Sequence, residues 1–178
     1  SQTPTFRVSK WRSADWDFSF GVCLEIGFWC LEFPTMSYPA KLQEIVEFLE
    51  ALPEQERREA LFSYAESASR YEPREEESYC VADERFDEMC LDSVGVFLHV
   101  DASEKAVFRV RLGEKVQTLT RALASILCQS LNQLPLETIV QLDDAFIPRI
   151  VGAELMRRRS RTVYYMLQRM QEAAKQAG

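Results

Sequence analysis

Between residues 40 and 52, Leu42, Ile45, Val46, Phe48, Leu49 and Leu52 recur three or four positions apart. That spacing predicts a helix with one broad apolar stripe. Pro53 closes the run and predicts the start of a second helix, because a first helical position has no use for its missing N–H. The second helix extends to about residue 70, with Ala60, Leu61, Tyr64, Ala65 and Ala68 facing inward. Residues 71–92 are polar and rich in glutamate, which predicts a loop. Two strands follow. Val94, Val96, Leu98 and Val100 alternate with Gly95, Phe97 and His99, then Ala106, Phe108 and Val110 alternate with Val107, Arg109 and Arg111. Residues 101–104 supply the hairpin turn, and Gly113 breaks the pattern.

The remaining apolar pattern is helical. Val116, Leu119, Leu123, Ile126, Leu127 and Leu131 predict a helix over about 115–131, and a short one follows over 135–142. Asp143 and Asp144 are placed to cap a further short segment ending at Val151. Val163, Met166, Leu167 and Met170 predict a last helix over about 160–176. Two helices, two strands and three helices make an α+β fold, with helices packed on a small antiparallel sheet.

The first 38 residues differ. They hold Trp11, Trp16 and Trp29 with five phenylalanines, and they lack a 3.6-residue period. The chain therefore divides into an aromatic-rich N-terminal extension over 1–38 and a domain over 39–178. The extension either wraps the domain or presents its tryptophans to a partner, where tryptophan is enriched at energetic hot spots.

Charge narrows the function classes. The 178 residues carry a formal net charge of -7, which argues against nucleic acid as a partner. Residues 44–92 hold 16 acidic and 5 basic side chains, whereas residues 157–175 hold 6 basic and 1 acidic. Within the basic stretch, Arg157, Arg158 and Arg159 are consecutive, and a partner's acidic surface would relieve their mutual repulsion. The five cysteines, Cys23, Cys30, Cys80, Cys90 and Cys128, include no CxxC pair. With one histidine, His99, that predicts neither a disulfide framework nor a structural zinc site. No cofactor is expected. The apolar run 18–33 contains Glu25 and Glu32 and is too short for a membrane span.

The string Tyr38-Pro39-Ala40-Lys41-Leu42-Gln43-Glu44-Ile45-Val46, then Leu52-Pro53 and Arg57, resembles the opening of the SufE family. Leu119 to Leu127, Pro135 to Leu142 and Ser160-Arg161-Thr162 are similar to that family's helical second half, so the likeness covers about residues 38–172. The resemblance implies a sulfur-acceptor partner of SufS-type cysteine desulfurases in Fe–S cluster assembly. In such proteins a loop cysteine just before the first strand accepts sulfane sulfur. The family pattern there, Val-x-Gly-Cys-x-Ser-x-Val-Trp, is altered in this chain. Aligning Val96-Phe97 with Val-Trp puts Asp92 at the cysteine, and Cys90 becomes the acceptor only if two residues are inserted. The resemblance also implies that Arg161 supports the thiolate. The long helix has Ala122 where the family has glycine, and Thr162-Val163 follows Ser160-Arg161 where Asn-Gly is expected.

Two readings stay open. Either Cys90 is a persulfide acceptor supported by Arg161, or it is an inert thiol, since acidic neighbours such as Asp87, Glu88 and Asp92 disfavour a thiolate. In the second case the chain is a catalytically degenerate binding or structural subunit of a larger assembly. Its partner contacts would come from Asp92, Arg157, Arg158, Arg159 and the three tryptophans. The resemblance implies bacterial cytoplasm or plastid stroma. The extension and the absence of an initial methionine favour the plastid.

Overall fold

A computed structural model describes residues 38–87, 92–159 and 164–178. The first helix, α1 (Ala40–Ala51), buries Leu42, Ile45, Val46 and Leu49, the stripe that its spacing predicts. It ends where Leu52 turns extended ahead of Pro53, as the residue before a proline must. Helix α2 (Glu54–Glu66) starts directly after Pro53, with Glu54 and Glu56 in its electropositive first turn. Arg57 folds back from α2. Its Nε donates to the Leu49 carbonyl at 2.8 Å, and its Nη2 donates to those of Glu50 and Leu52 at 3.0 and 3.1 Å. Those are carbonyls that the end of a helix leaves unsatisfied. The α-helix stops at Glu66, and the stretch predicted to continue it tightens into a 3₁₀ turn, Ser67–Tyr71.

Among the described residues the sheet has three antiparallel strands in the order β1 (Val81–Asp87), β2 (Asp92–Val100) and β3 (Ala106–Leu112). Strand β1 corrects the expectation of a loop over 71–92. Of its side chains with described burial, only that of Val81 is buried, so apolar alternation could not reveal it. The backbone ladder to β2 and charged contacts hold it in place, an instance of tertiary context overriding weak strand propensity. Strand β2 is central. Its Val94, Val96 and Leu98 join Ala106, Phe108 and Val110 of β3 on the core face. On the other face Phe97 meets the Tyr79 ring edge-on at 5.4 Å, with the Arg111 guanidinium 5.1 Å from its centroid.

The outer edge of β3 is covered by the chain that follows helix α3 (Thr118–Leu131). Ala106 N–H donates to the Leu134 carbonyl, Gln133 N–H to the Ala106 carbonyl and Phe108 N–H to Asn132 Oδ1, at 2.9, 2.8 and 2.7 Å. Three short helices, α4 (Leu136–Val140), α5 (Phe146–Val151) and α6 (Ala153–Arg159), lead to α7 (Tyr165–Ala177). Helix α6 lies in a stretch whose pattern predicted no element. In the expected capping pair, Asp143 Oδ1 accepts the Ala145 N–H at 2.6 Å, and it bonds no amide of α5. Helix α3 lies against β3, α7 against β2 and β1, and the two helices touch. Together with α1 and α5 they bury one continuous core, in which each fully buried Leu, Ile or Phe contributes about 2 kcal/mol.

Candidate functional site

The connection that holds Cys90 is defined by its flanks. Asp87 and Asp92 are cross-strand partners, so residues 88–91 must join them. Cys90 itself lies outside the described residues. Two residues from Asp92, its Cα can stand no more than about 7 Å from that residue's.

Asp92 is tied into the base of the hairpin. Its Oδ1 accepts the Ser93 N–H at 2.8 Å, and its Oδ2 accepts the Lys115 N–H at 2.8 Å. These amides, that of Lys115 foremost, hold its carboxyl below the usual range. Gly113 permits the approach, since a Cβ there would fall 2.2 Å from Asp92 Cγ. Arg121, in the first turns of α3, secures the same loop by donating to the carbonyls of Gly113, Val116 and Glu114.

Helix α7 sets the other side of the site. Its last residues, Ala177 and Gly178, share a cleft with Val100 and Ser103, at the end of the sheet where β2 turns into β3. Midway along, Arg169 meets Asp83 and Val94. Hence α7 runs back along the sheet, and its first residues, Tyr164 and Tyr165, point towards the end where Asp87 and Asp92 stand. Arg161 lies outside the described residues, in the stretch 160–163 that leads into Tyr164. The flanks of the Cys90 and Arg161 segments therefore share one end of the sheet.

Arg169, counted in sequence with the basic C-terminal stretch, is 2% exposed. Its Nε donates to Asp83 Oδ2 at 2.9 Å, and its Nη2 to the carbonyls of Asp83 and Val94 at 2.6 and 3.2 Å. Its Nη1 donates to the Tyr165 hydroxyl at 2.6 Å. One guanidinium thus joins α7, β1 and β2. The sequence signal for it was weak: an arginine on the apolar face marked by Met166 and Met170.

The other candidates divide cleanly. Cys80 precedes β1, and its Sγ lies 3.1 Å from the Leu98 carbonyl oxygen. Seven strand residues separate it from Asp87, about 23 Å at 3.3 Å each. Cys80 therefore stands at the end of β1 away from Asp87. Cys128 is fully buried in α3, and burial pushes its thiol far above the ordinary value. His99 Nδ1 donates to the Ser78 carbonyl at 2.8 Å and helps fix the segment leading into β1. Arg157 is exposed on α6. Arg158 and Arg159 follow it in that helix, and their side chains lie outside the description. Trp11, Trp16, Trp29, Cys23 and Cys30 also lie outside the described residues. Among the described residues no group of three His, Cys, Asp or Glu could hold a metal ion, and no helix is long and apolar enough to cross a membrane.

Comparison with known proteins agrees with the α+β architecture. No curated protein matches the chain. A solution structure of a hypothetical protein from Thermus thermophilus is similar over 79% of this chain and 98% of its own, with a TM-score of 0.60 and 20% identity, a likeness of fold. Residues 43–174 match the SufE Fe-S metabolism associated domain. With that match spanning most of its length, the chain belongs to the SufE family of Fe–S metabolism associated domains.

Proposed function

We propose that this protein accepts sulfane sulfur on Cys90 from the persulfide of a SufS-type cysteine desulfurase, for Fe–S cluster assembly. The observation that carries the reading is the shared end of the sheet. The strands that flank Cys90 and the helix start that follows Arg161 converge there. A guanidinium near a thiol stabilises the thiolate, the form that attacks. The Cys90 thiolate attacks the terminal sulfur of the desulfurase persulfide. The S–S bond breaks, the desulfurase thiolate leaves, and Cys90 carries the persulfide with no net oxidation. Of the described thiols, Cys128 is buried, and Cys80 stands at the end of β1 away from Asp87.

The test is direct. The full chain is incubated with a cysteine desulfurase and cysteine, and intact and peptide masses are recorded. One added sulfur on the peptide containing Cys90, absent from Cys90→Ser, is the expected result. An unmodified wild-type chain, with the desulfurase active, overturns the reading. A second reading, a binding subunit without transfer chemistry, draws support from Asp92, which an ungapped alignment puts at the family's cysteine and whose carboxylate is committed to the Ser93 and Lys115 amides. An unmodified wild-type chain that still co-elutes with the desulfurase would favour it.

A further inference from the structure

Away from the hairpin, α2, α6 and the start of α3 enclose two adjoining clefts. The first, about 380 Å³, has walls of Leu61, Phe62, Leu119 and Leu155. The second, about 310 Å³, continues beside the first turns of α2 to Gly152 and Arg157. Arg58 and Leu155 line both, so the two form one trough along α2. Residues 54 to 62 of α2 flank it, a length of about 12 Å. Phe62 stands at its lip with 56% of its surface exposed. An apolar cleft such as the first, edged by a large exposed aromatic, is the form that partner anchors fill.

Charge selects the occupant. Glu54 and Glu154 both face inward onto Arg58, at 2.5 and 2.7 Å, and are thereby occupied. Arg57 spends its donors on backbone carbonyls, and the carboxylate its charge acts on, that of Glu50, is already paired with Arg149. Arg157 forms no ion pair with a described residue, and it opens the triple-arginine end of α6. On a chain of net charge -7, the trough thus ends at a basic rim. We propose that it docks an acidic amphipathic segment of a partner protein. Apolar side chains at helical spacing enter between Leu61, Leu119 and Leu155, and carboxylates face Arg157. At its other end the trough reaches Thr118, three residues from Lys115, whose amide binds Asp92. A segment seated there lies within about 11 Å of the hairpin base along the chain. The inference stands whether or not Cys90 accepts sulfur.

The test uses the full chain and two fluorescein-labelled helical peptides of about 14 residues, long enough for helix to be sampled in water. Both carry Leu and Phe on one face. One has glutamate at every other position, the other lysine. Saturable anisotropy with the glutamate peptide is expected, with amide shifts at Leu61, Phe62, Leu119 and Leu155. Affinity should fall about tenfold or more in Phe62→Ser and in Arg157→Glu, and should weaken with salt. Both substitutions are at exposed positions, and circular dichroism confirms that the variants remain folded. Equal binding of the lysine peptide, shifts mapping elsewhere or the absence of saturable binding would each overturn the proposal. So would sedimentation showing a wild-type dimer that Phe62→Ser dissolves, because the occupant would then be a second copy.

Discussion

Three side chains do most of the local positioning, and each makes a measurable prediction. Arg169 is buried with its charge matched by Asp83. Removing one member of a buried pair strands the other. Asp83→Asn is therefore expected to lower unfolding free energy by about 3 kcal/mol in urea melts. Arg111→Ala, which breaks an exposed pair with Glu84 and a stacking contact on Phe97, should cost less, about 1 kcal/mol. Gly113 and Asp92 make a coupled pair. Gly113→Ala forces a Cβ into the Asp92 carboxylate and should cost about 1–3 kcal/mol. With Asp92→Ala already present, the same change should cost much less. A double-mutant cycle reads that coupling, and strict additivity would contradict the geometry. Glu77 accepts two bonds from Arg109, one of them from Nε at 2.8 Å, and a third from the Tyr79 hydroxyl. These, the Arg109 bonds foremost, hold its carboxyl down at about 2, from an ordinary 4.5. A depressed folded-state value means stability present above about 4.5 and lost as the pH falls towards about 2. Urea midpoints measured across that window should slope less in Glu77→Gln than in wild type.

At the scale of elements, β1 is the weak member of the sheet. Central β2 is paired on both sides, and the outer edge of β3 is covered by residues 132–134. Strand β1 has a strand partner on one side only among the described residues, one buried side chain among those described, and an exposed Phe86 at 66%. Opening free energy should follow that order. Hydrogen exchange is expected to be slowest in β2, with β1 exchanging faster and Arg169→Met accelerating β1 more than β3. Uniform protection across the three strands would count against Arg169 as the joint. Gly152, between α5 and α6, makes the same point at a turn. Its φ is +83°, and a Cβ at that position would fall only 2.6 Å from Arg57 Nη1, so both backbone and space resist a side chain. Gly152→Ala should therefore destabilise by about 1–3 kcal/mol. Helices α1 and α3 were legible in sequence because they place leucine, isoleucine and valine at helical spacing against the core. Strand β1 was not legible, because it is held by backbone bonds and by an arginine that lies 86 residues from Asp83 in the chain.

For the whole molecule, the sequence by itself determined the class of fold and the family. Amphipathic period, prolines between helices and two alternating strands each depend on local spacing, and local spacing is what burial on one face imposes. Sequence also nominated Cys90 and Arg161, through likeness rather than through contact. Tertiary structure decided what no local pattern carries. It added a third strand, and it brought the flanks of two segments more than 65 residues apart to one end of the sheet. It also turned Arg169 from an apparent surface charge into a buried joint, and it committed the Asp92 carboxylate to two backbone amides. The physical reason is the same in each case. Hydrogen bonds and charge pairs are made between residues distant in sequence, and their value depends on how much water is excluded where they meet.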